Sequence, residues 1–453
     1  MTRVVVLTGD PLGTKMAGPA IRSWNMALQL SRDNEVALVT TTTLEDGLEA
    51  PFALHRIHPG ENARFAELER WAEVIVFQGH GMSQFPVLRT TDRIVVADIY
   101  DPMHLEMLEQ GREQPRATWE LQVSTAREVL NQQLALADFF LCASERQRLF
   151  YLGHLASLGR ISPATYADDP HLDRLLAVVP FGLSSTPPEL TGPAIVGVLP
   201  EVSEGDIVVI WGGGIYSWFD PKILIEAVAK VAERQPRLKL FFLGTQHPGV
   251  AQMGIVAESL QLARDLGALD RSVFFNETWV DFDDRQNYLL EASFGASTHQ
   301  SHVETEFAFR TRILDYLWAG LPMVVSDGDS FADLVRDEGL GIVVPAGDEP
   351  ALEAALERLL TDGEFVTEAR SNVARVREQF YWEGVLAPLV EFVQSPRHAA
   401  DYPQNRRLAK RGSGGNHKPY GLRHDISMAW HHLVNSGPGA VTSRIRGRLT
   451  RKR

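Results

Sequence analysis

A single cysteine, Cys142, stands among 453 residues, so no internal disulfide can form and a stapled secreted scaffold is excluded. No stretch approaches the roughly 20 apolar residues that span a bilayer. The opening Met1-Thr2-Arg3 runs into Val4-Val5-Val6-Leu7, too short for the apolar core and cleavage site of a secretory signal. No Gly-x-x-x-x-Gly-Lys-Ser/Thr occurs, which removes the common ATPases. No Gly-x-Gly-x-x-Gly follows a strand with a paired acid about 20 residues on, which argues against a nicotinamide enzyme. The expectation is a cytoplasmic chain without a transmembrane anchor. What is present is an ordinary globular mixture, 44% hydrophobic and 23% charged, long enough for two or three domains.

The net charge of -14 is unevenly spread. Residues 397–453 carry thirteen Lys and Arg against Asp401 and Asp425, a net +11 that leaves -25 on residues 1–396. An acidic body does not suit polyanions in general, but a basic segment on it does, and its natural candidates are anionic lipid or nucleic acid. Apolar Ile426, Met428, Trp430 and Leu433 precede a run of cations from Arg444, the pattern of an interfacial membrane segment. A solubilising tail is the plainer alternative. No base-reading module accompanies the charge, so nucleic acid is not expected as a partner.

Two alternating series of strands and helices divide the rest. Short β-branched or aromatic runs lie at Val4–Thr8, Val36–Thr40, Val74–Phe77, Ile94–Ile99 and Phe139–Ala143. Helical spacing fills the gaps, longest from about Thr118 to Ala137. Glycine and proline crowd residues 182–205, which reads as a linker. A second series follows at Ile207–Trp211, Leu238–Leu243, Val273–Phe275, Phe294–Ser297, Met323–Val325 and Ile342–Val344. Alternation of this kind implies parallel sheets covered on both faces. The fold class is α/β: two Rossmann-like, doubly wound domains, residues 1–181 and 206–380, facing a cleft. A crossover helix at 381–396 and the basic 397–453 tail complete it. Ligands in such folds bind outside the carboxyl ends of the strands.

Residues 300–322 carry the most chemistry. A helix is expected to open after the strand at Phe294–Ser297, and its free N–H groups make an anion site. Arg310 and Arg312 add permanent cations, and Asp315 lies about a turn further in. Phosphates at the helix tip and a diol beyond describe a nucleoside diphosphate with its ribose. An exposed first turn with solvated charges is the bland alternative.

Leu314-Asp315-Tyr316-Leu317-Trp318-Ala319-Gly320-Leu321-Pro322-Met323-Val324-Val325 resembles the L-E-A-M-A-x-G-x-P-V-V segment of family 4 glycosyltransferases. Asp333-Leu334-Val335 with Gly341-Ile342-Val343-Val344-Pro345, and Ile225-Glu226-Ala227, resemble further pieces of that family in the right order. The likeness covers about residues 207–395, and the first half in outline. It implies a GT-B fold, a nucleotide-sugar donor held mainly by the second domain, transfer to a lipid-linked or polysaccharide hydroxyl, and retention at the anomeric carbon. No metal or other cofactor is implied. The setting would be cell-surface glycan synthesis at the inner face of the membrane.

The departures are specific. The family has two glutamates separated by seven residues. Asp315 sits at the second, ribose-binding place and Phe307 at the first, so Glu304 or Glu306 would orient the donor sugar. The family's Arg and Lys for the diphosphate align with Gly214 and Phe219. Gly213 and Gly214 then offer backbone N–H groups without charge, and Arg310 and Arg312 become the replacement cations. The family's His-Asp pair aligns with Tyr100-Asp101, making Asp101 a candidate for sugar or acceptor contact, with Asp98 and His104 nearby. Gly13 to Arg22 takes the place of the glycine-rich first loop, where Gly18 permits close approach to the donor and Lys15 and Arg22 could add charge. His299-x-x-His302 with Glu304 is weak evidence for a metal. The missing Arg/Lys pair and the displaced glutamate motivate a rival, a non-catalytic nucleotide-sugar-binding scaffold, and a nucleotide-sugar epimerase is the third reading.

Overall fold

The computed structural model describes residues 1–245 and 253–406. The first sheet holds β1 (Arg3–Thr8), β2 (Glu35–Thr40), β3 (Ala53–Arg56), β4 (Val74–Gln78), β5 (Ile94–Asp98), β6 (Phe139–Cys142) and β7 (Leu176–Val178), in the order β3-β2-β1-β4-β5-β6-β7. The second holds β8 (Ile207–Trp211), β9 (Leu238–Phe242), β10 (Val273–Phe275), β11 (Phe294–Ser297), β12 (Met323–Ser326) and β13 (Gly341–Val344), in the order β10-β9-β8-β11-β12-β13. Pairing is parallel throughout the named strands. Central strands such as Val4-Val5-Val6-Leu7 are buried on both faces, which is why they read as unbroken apolar runs.

The strands of the second domain lie where the apolar runs place them. Two strands of the first domain escape that reading. β3 is a half-exposed edge strand, Ala53-Leu54-His55-Arg56, and β7 has only three residues. Neither offers an apolar run to detect.

Strand order reverses between β1 and β4 in one sheet and between β8 and β11 in the other. Loops diverge at these points and leave a crevice. Asp220 starts the helix Pro221–Arg234 by accepting from Ile223 N at 3.2 Å, a cap with proline in the first turn. Gly320 closes the helix Arg312–Ala319 at φ 72°, a left-handed position that glycine takes without strain.

After β13 the chain returns to the first domain. Leu183 N donates to Phe380 O at 2.8 Å and Trp382 N to Leu183 O at 3.1 Å. The crossover expected as one helix is two, Trp382–Val385 and Ala387–Gln394, with Pro388 opening the second. Phe392 stacks on Phe139 of β6, ring centres 4.3 Å apart.

The basic segment expected from Arg397 onward needs a correction at its start, because residues 397–406 pack on the first domain. His398 Nδ1 and Ala399 N meet Asp138 Oδ1 at 3.1 and 3.2 Å. Asp401 takes a two-pronged bond from Arg160, at 2.6 and 3.1 Å, and their side chains are 6% and 1% exposed. A guanidinium so buried needs its carboxylate. The remaining cations, from Arg407 on, lie outside the described residues. Among the described residues no helix is long and apolar enough to cross a membrane.

Asp401→Ala is therefore expected to cost about 3–5 kcal/mol, the usual penalty for stranding a buried charge. The double variant Arg160→Met with Asp401→Leu should recover most of it. Urea unfolding of the three proteins measures both, and equal stability of Asp401→Ala and parent would refute the clamp.

Candidate functional site

A cavity of about 940 Å³ lies between the domains, lined by the loops after β1, β5, β8 and β9 and by the start of the helix Arg312–Ala319. Its size suits a nucleotide-sized ligand.

The second domain supplies one wall. Gly213 sits at φ 80°, and a Cβ on Gly214 would come within 2.8 Å of the Tyr216 hydroxyl, so the turn after β8 is drawn tight. Tyr316 Oη accepts from Gly212 N at 2.9 Å and donates to Ala296 O at 2.7 Å, fixing that turn to β11. Arg312 Nη2 donates to Gly214 O at 2.9 Å. Its guanidinium lies 3.9 Å from the Phe219 ring centre and 4.3 Å from that of Trp211, in cation–π range. Burial pushes its pKa down to about 10, which leaves it charged at neutral pH. Arg312 Nη1 is buried without a hydrogen-bond partner.

Arg310 is committed differently. Its Nη1 and Nη2 grip Glu304 at 3.1 and 2.7 Å, and both side chains are buried. Of the two glutamates left open by the sequence, Glu304 lines the cavity, while Glu306 is exposed and outside the lining. The reason is local. The expected single helix is interrupted, with a short helix Val303–Phe307 capped by His302 Nδ1 and a separate one from Arg312, and residue 304 falls on the inner side. Phe307 turns to the first domain, its ring 4.6 Å from Phe150 and its carbonyl accepting from Gln147 Nε2 at 2.8 Å.

Asp315 lines the cavity and faces Arg285 Nη1 at 3.4 Å. Burial raises its pKa, while the Arg285 and Arg312 cations oppose the rise. Arg285 itself lies over the rings of Phe282 and Trp318 at 4.0 and 5.3 Å. It was invisible as a site residue because it stands 30 positions before Asp315, in a helix start that reads as solvated. Gly244 and Trp279 border the same wall; a Cβ on the glycine would lie 3.4 Å from the indole.

The first domain faces this wall with carboxylates. Asp101, Glu106 and Asp10 all line the cavity. Asp101 is held well above the usual carboxylate range, first by burial and then by Glu106 and Glu304, against the pull of Arg310. Burial raises Asp10 to about 6. Gly18 begins the helix Gly18–Leu30 at the cavity edge, with Phe181 the nearest side chain, 3.7 Å from where its Cβ would be.

Four other expected residues sit elsewhere. Arg22 is fully buried, bonding Asp98 at 2.7 and 2.8 Å and the carbonyls of Val179 and Pro180 at 2.8 Å. It stitches β5 to the exit of β7 and has no charge to give a phosphate. Asp98 is consumed in the same pair and also accepts from Gln78 Nε2 at 2.8 Å. His104 packs near Phe150 and His154, and burial lowers its pKa to about 4. Lys15 reaches across the cleft to Asp281 at 3.4 Å. Among the described residues no group of three His, Cys, Asp or Glu is placed to hold a metal ion.

The raised Asp10 has a definite pH signature. A carboxyl whose folded pKa exceeds its unfolded value favours the fold while protonated. That contribution is present near pH 4 and is lost as pH rises through about 6. Asp10→Asn should flatten the stability profile between those values, and a profile parallel to that of the parent would refute the burial of this group.

Comparison with known proteins agrees with the two-sheet fold. Residues 206–362 match the family model described as glycosyl transferases group 1. A D-inositol 3-phosphate glycosyltransferase from Rhodococcus erythropolis is 26% identical over 194 residues, and the alignment spans 41% of this chain and 41% of that protein. Sucrose-phosphate synthase from Thermosynechococcus elongatus superposes with a TM-score of 0.64 at 16% identity, over 87% of this chain and 98% of that one. The Anabaena protein HepE, solved with UDP-glucose, superposes at 0.62 with 15% identity, over 87% and 100% of the two chains. The fold is therefore that of the two-domain GT-B glycosyltransferases, and the second domain is matched to the group 1 members among them.

Proposed function

We infer that the chain transfers a sugar from a nucleoside diphosphate donor to a hydroxyl of a lipid-linked or glycan acceptor, with retention at the anomeric carbon and without a metal. The observation that carries the reading is Arg312, a buried cation that lines the cavity at the Gly213–Gly214 turn and has one N–H group, at Nη1, without a partner. Transfer leaves negative charge on the departing diphosphate. A fixed cation, backbone N–H groups and a helix N-terminus in a low-dielectric cleft stabilise that charge without reorganising. Asp315 would accept the ribose hydroxyls, with Arg285 holding it in place. The base would lie toward Trp279.

Across the cleft, Asp101 and Glu304 would orient the sugar hydroxyls, and Gly18 would let the first loop close on the donor. Arg310, already paired with Glu304, positions that carboxylate. No side chain is assigned as a nucleophile; the donor phosphate would take the acceptor proton. That HepE was solved with UDP-glucose supports a uridine donor as the first to try. The cell-surface setting and contact with the inner membrane face rest on the basic residues from Arg407 on, which lie outside the described residues.

Release of nucleoside diphosphate from a panel of donors, with the sugar products identified, tests the proposal. Binding without turnover would favour a scaffold, and isomerised sugar an epimerase. Arg312→Ala should weaken UDP by about 1.5–3 kcal/mol, the range for a hydrogen bond to a charged group, and leave uridine almost unchanged. Asp315→Asn should weaken both. Equal losses for UDP and uridine with Arg312→Ala would reassign that arginine to structure alone.

A further inference from the structure

The turn after β8 carries a phenol into the cavity. Tyr216 lines it beside Gly213, Gly214 and Trp218. The Tyr216 ring is stacked on that of Trp218, centres 4.9 Å apart and 6° from parallel. Its carbonyl accepts from Phe219 N at 3.0 Å. Ring and backbone are both held, so the hydroxyl is held too. It lies against Gly214, where a Cβ would fall 2.8 Å from Oη. Any other residue at 214 would collide with a ring that the Trp218 stack keeps in place. Glycine at 214 and tyrosine at 216 therefore belong together, the first allowing the close approach that the second makes. Where the resemblance leads one to expect an arginine, the phenol leaves no room for a side chain.

Gly214 has a second donor beside it. Its carbonyl accepts from Arg312 Nη2 at 2.9 Å, and Arg312 Nη1 is buried without a partner. Burial pushes the Tyr216 pKa up to about 12; Arg312 pulls against that rise, and Glu106 and Asp10 add to it. The hydroxyl thus keeps its proton at neutral pH and can donate. The charges that act on it also locate it. Arg312 belongs to the donor wall, while Glu106 and Asp10 belong to the wall across the cleft. A cation and a neutral O–H beside one turn that carries no side chain suit an anion, to which both can donate. In a nucleoside diphosphate whose ribose is at Asp315, the part that reaches toward the facing wall is the terminal phosphate, the one that carries the sugar.

We propose that the Tyr216 hydroxyl donates a hydrogen bond to the terminal phosphate of the donor, so that a neutral phenol and one arginine serve where a pair of cations was expected. The inference rests on the transfer reading above and adds a residue to its donor subsite. As the sugar departs, negative charge gathers on that phosphate. A donor already in place in a low-dielectric cleft binds the departing group more strongly than the intact one.

The test uses the full chain. Parent and Tyr216→Phe are titrated with uridine, UMP and UDP; the matching guanosine or adenosine series serves if the parent prefers that base. Phenylalanine keeps the stack on Trp218 and removes only the oxygen. UDP affinity should fall about tenfold or more, the effect of one hydrogen bond to a charged group, while uridine and UMP stay near parental. A parent that binds UDP and a variant that binds it equally well would overturn this inference and leave the donor reading standing. Equal losses for uridine and UDP would make the tyrosine structural and overturn it as well. Equal losses for UMP and UDP would move the contact off the terminal phosphate, with the same consequence. A parent that binds none of UDP, GDP and ADP would overturn the donor reading and this one with it.

Discussion

A guanidinium cannot be left uncompensated in a low-dielectric interior, and that constraint organises this molecule. Arg22 is neutralised by Asp98, Arg160 by Asp401 and Arg310 by Glu304, each through two bonds. The first pair ties a helix to the centre of the N-terminal sheet. The second pins residues near 400 to that same domain. The third fixes the segment between two short helices at the mouth of the second sheet. Arg312 departs from the pattern. It spends one N–H on the Gly214 carbonyl and its ring faces on Phe219 and Trp211, and keeps Nη1 unpaired. An arginine has five donors in a rigid fork; this one lines the cavity without the two-pronged carboxylate partner that holds the other three.

The cleft depends on contacts that cross it. Gln147 of the first domain donates to Phe307 O and to Tyr100 O, both at 2.8 Å. Arg146 reaches Gly328 O at 2.7 Å and pairs with Asp333. Phe307, which replaces an acid expected from resemblance, packs on Phe150. The loss of a carboxylate at that position thus coincides with a gain in apolar contact between domains. Glu304, three residues earlier, presents a carboxylate to the cavity in its place.

The opposing walls differ in electrostatic character. The second domain offers Arg285, Arg310 and Arg312 alongside Asp283, Glu304 and Asp315; the first offers Asp10, Asp101 and Glu106. Burial raises all three acids, so the first wall carries less negative charge than its composition suggests.

The sequence by itself determined the two parallel sheets, because strands buried on both faces must be apolar throughout, as in Val4-Val5-Val6-Leu7 and Ile207–Trp211. It also marked the helix cap at Asp220, the stop at Gly320 and the concentration of cations after Arg397. Those are local rules of period, cap and composition. What the sequence left open was decided by partners distant along the chain. Arg22 and Arg312 look alike as cations beside glycine, and only Asp98, 76 positions away, makes one structural. Glu304 and Glu306 are separated by the interruption of a helix. Arg285 enters the site, and Asp401 leaves the tail, because tertiary packing brings each against a charge that burial would otherwise leave unpaired. Charge pairing in the interior is a long-range property, and no periodicity along the chain encodes it.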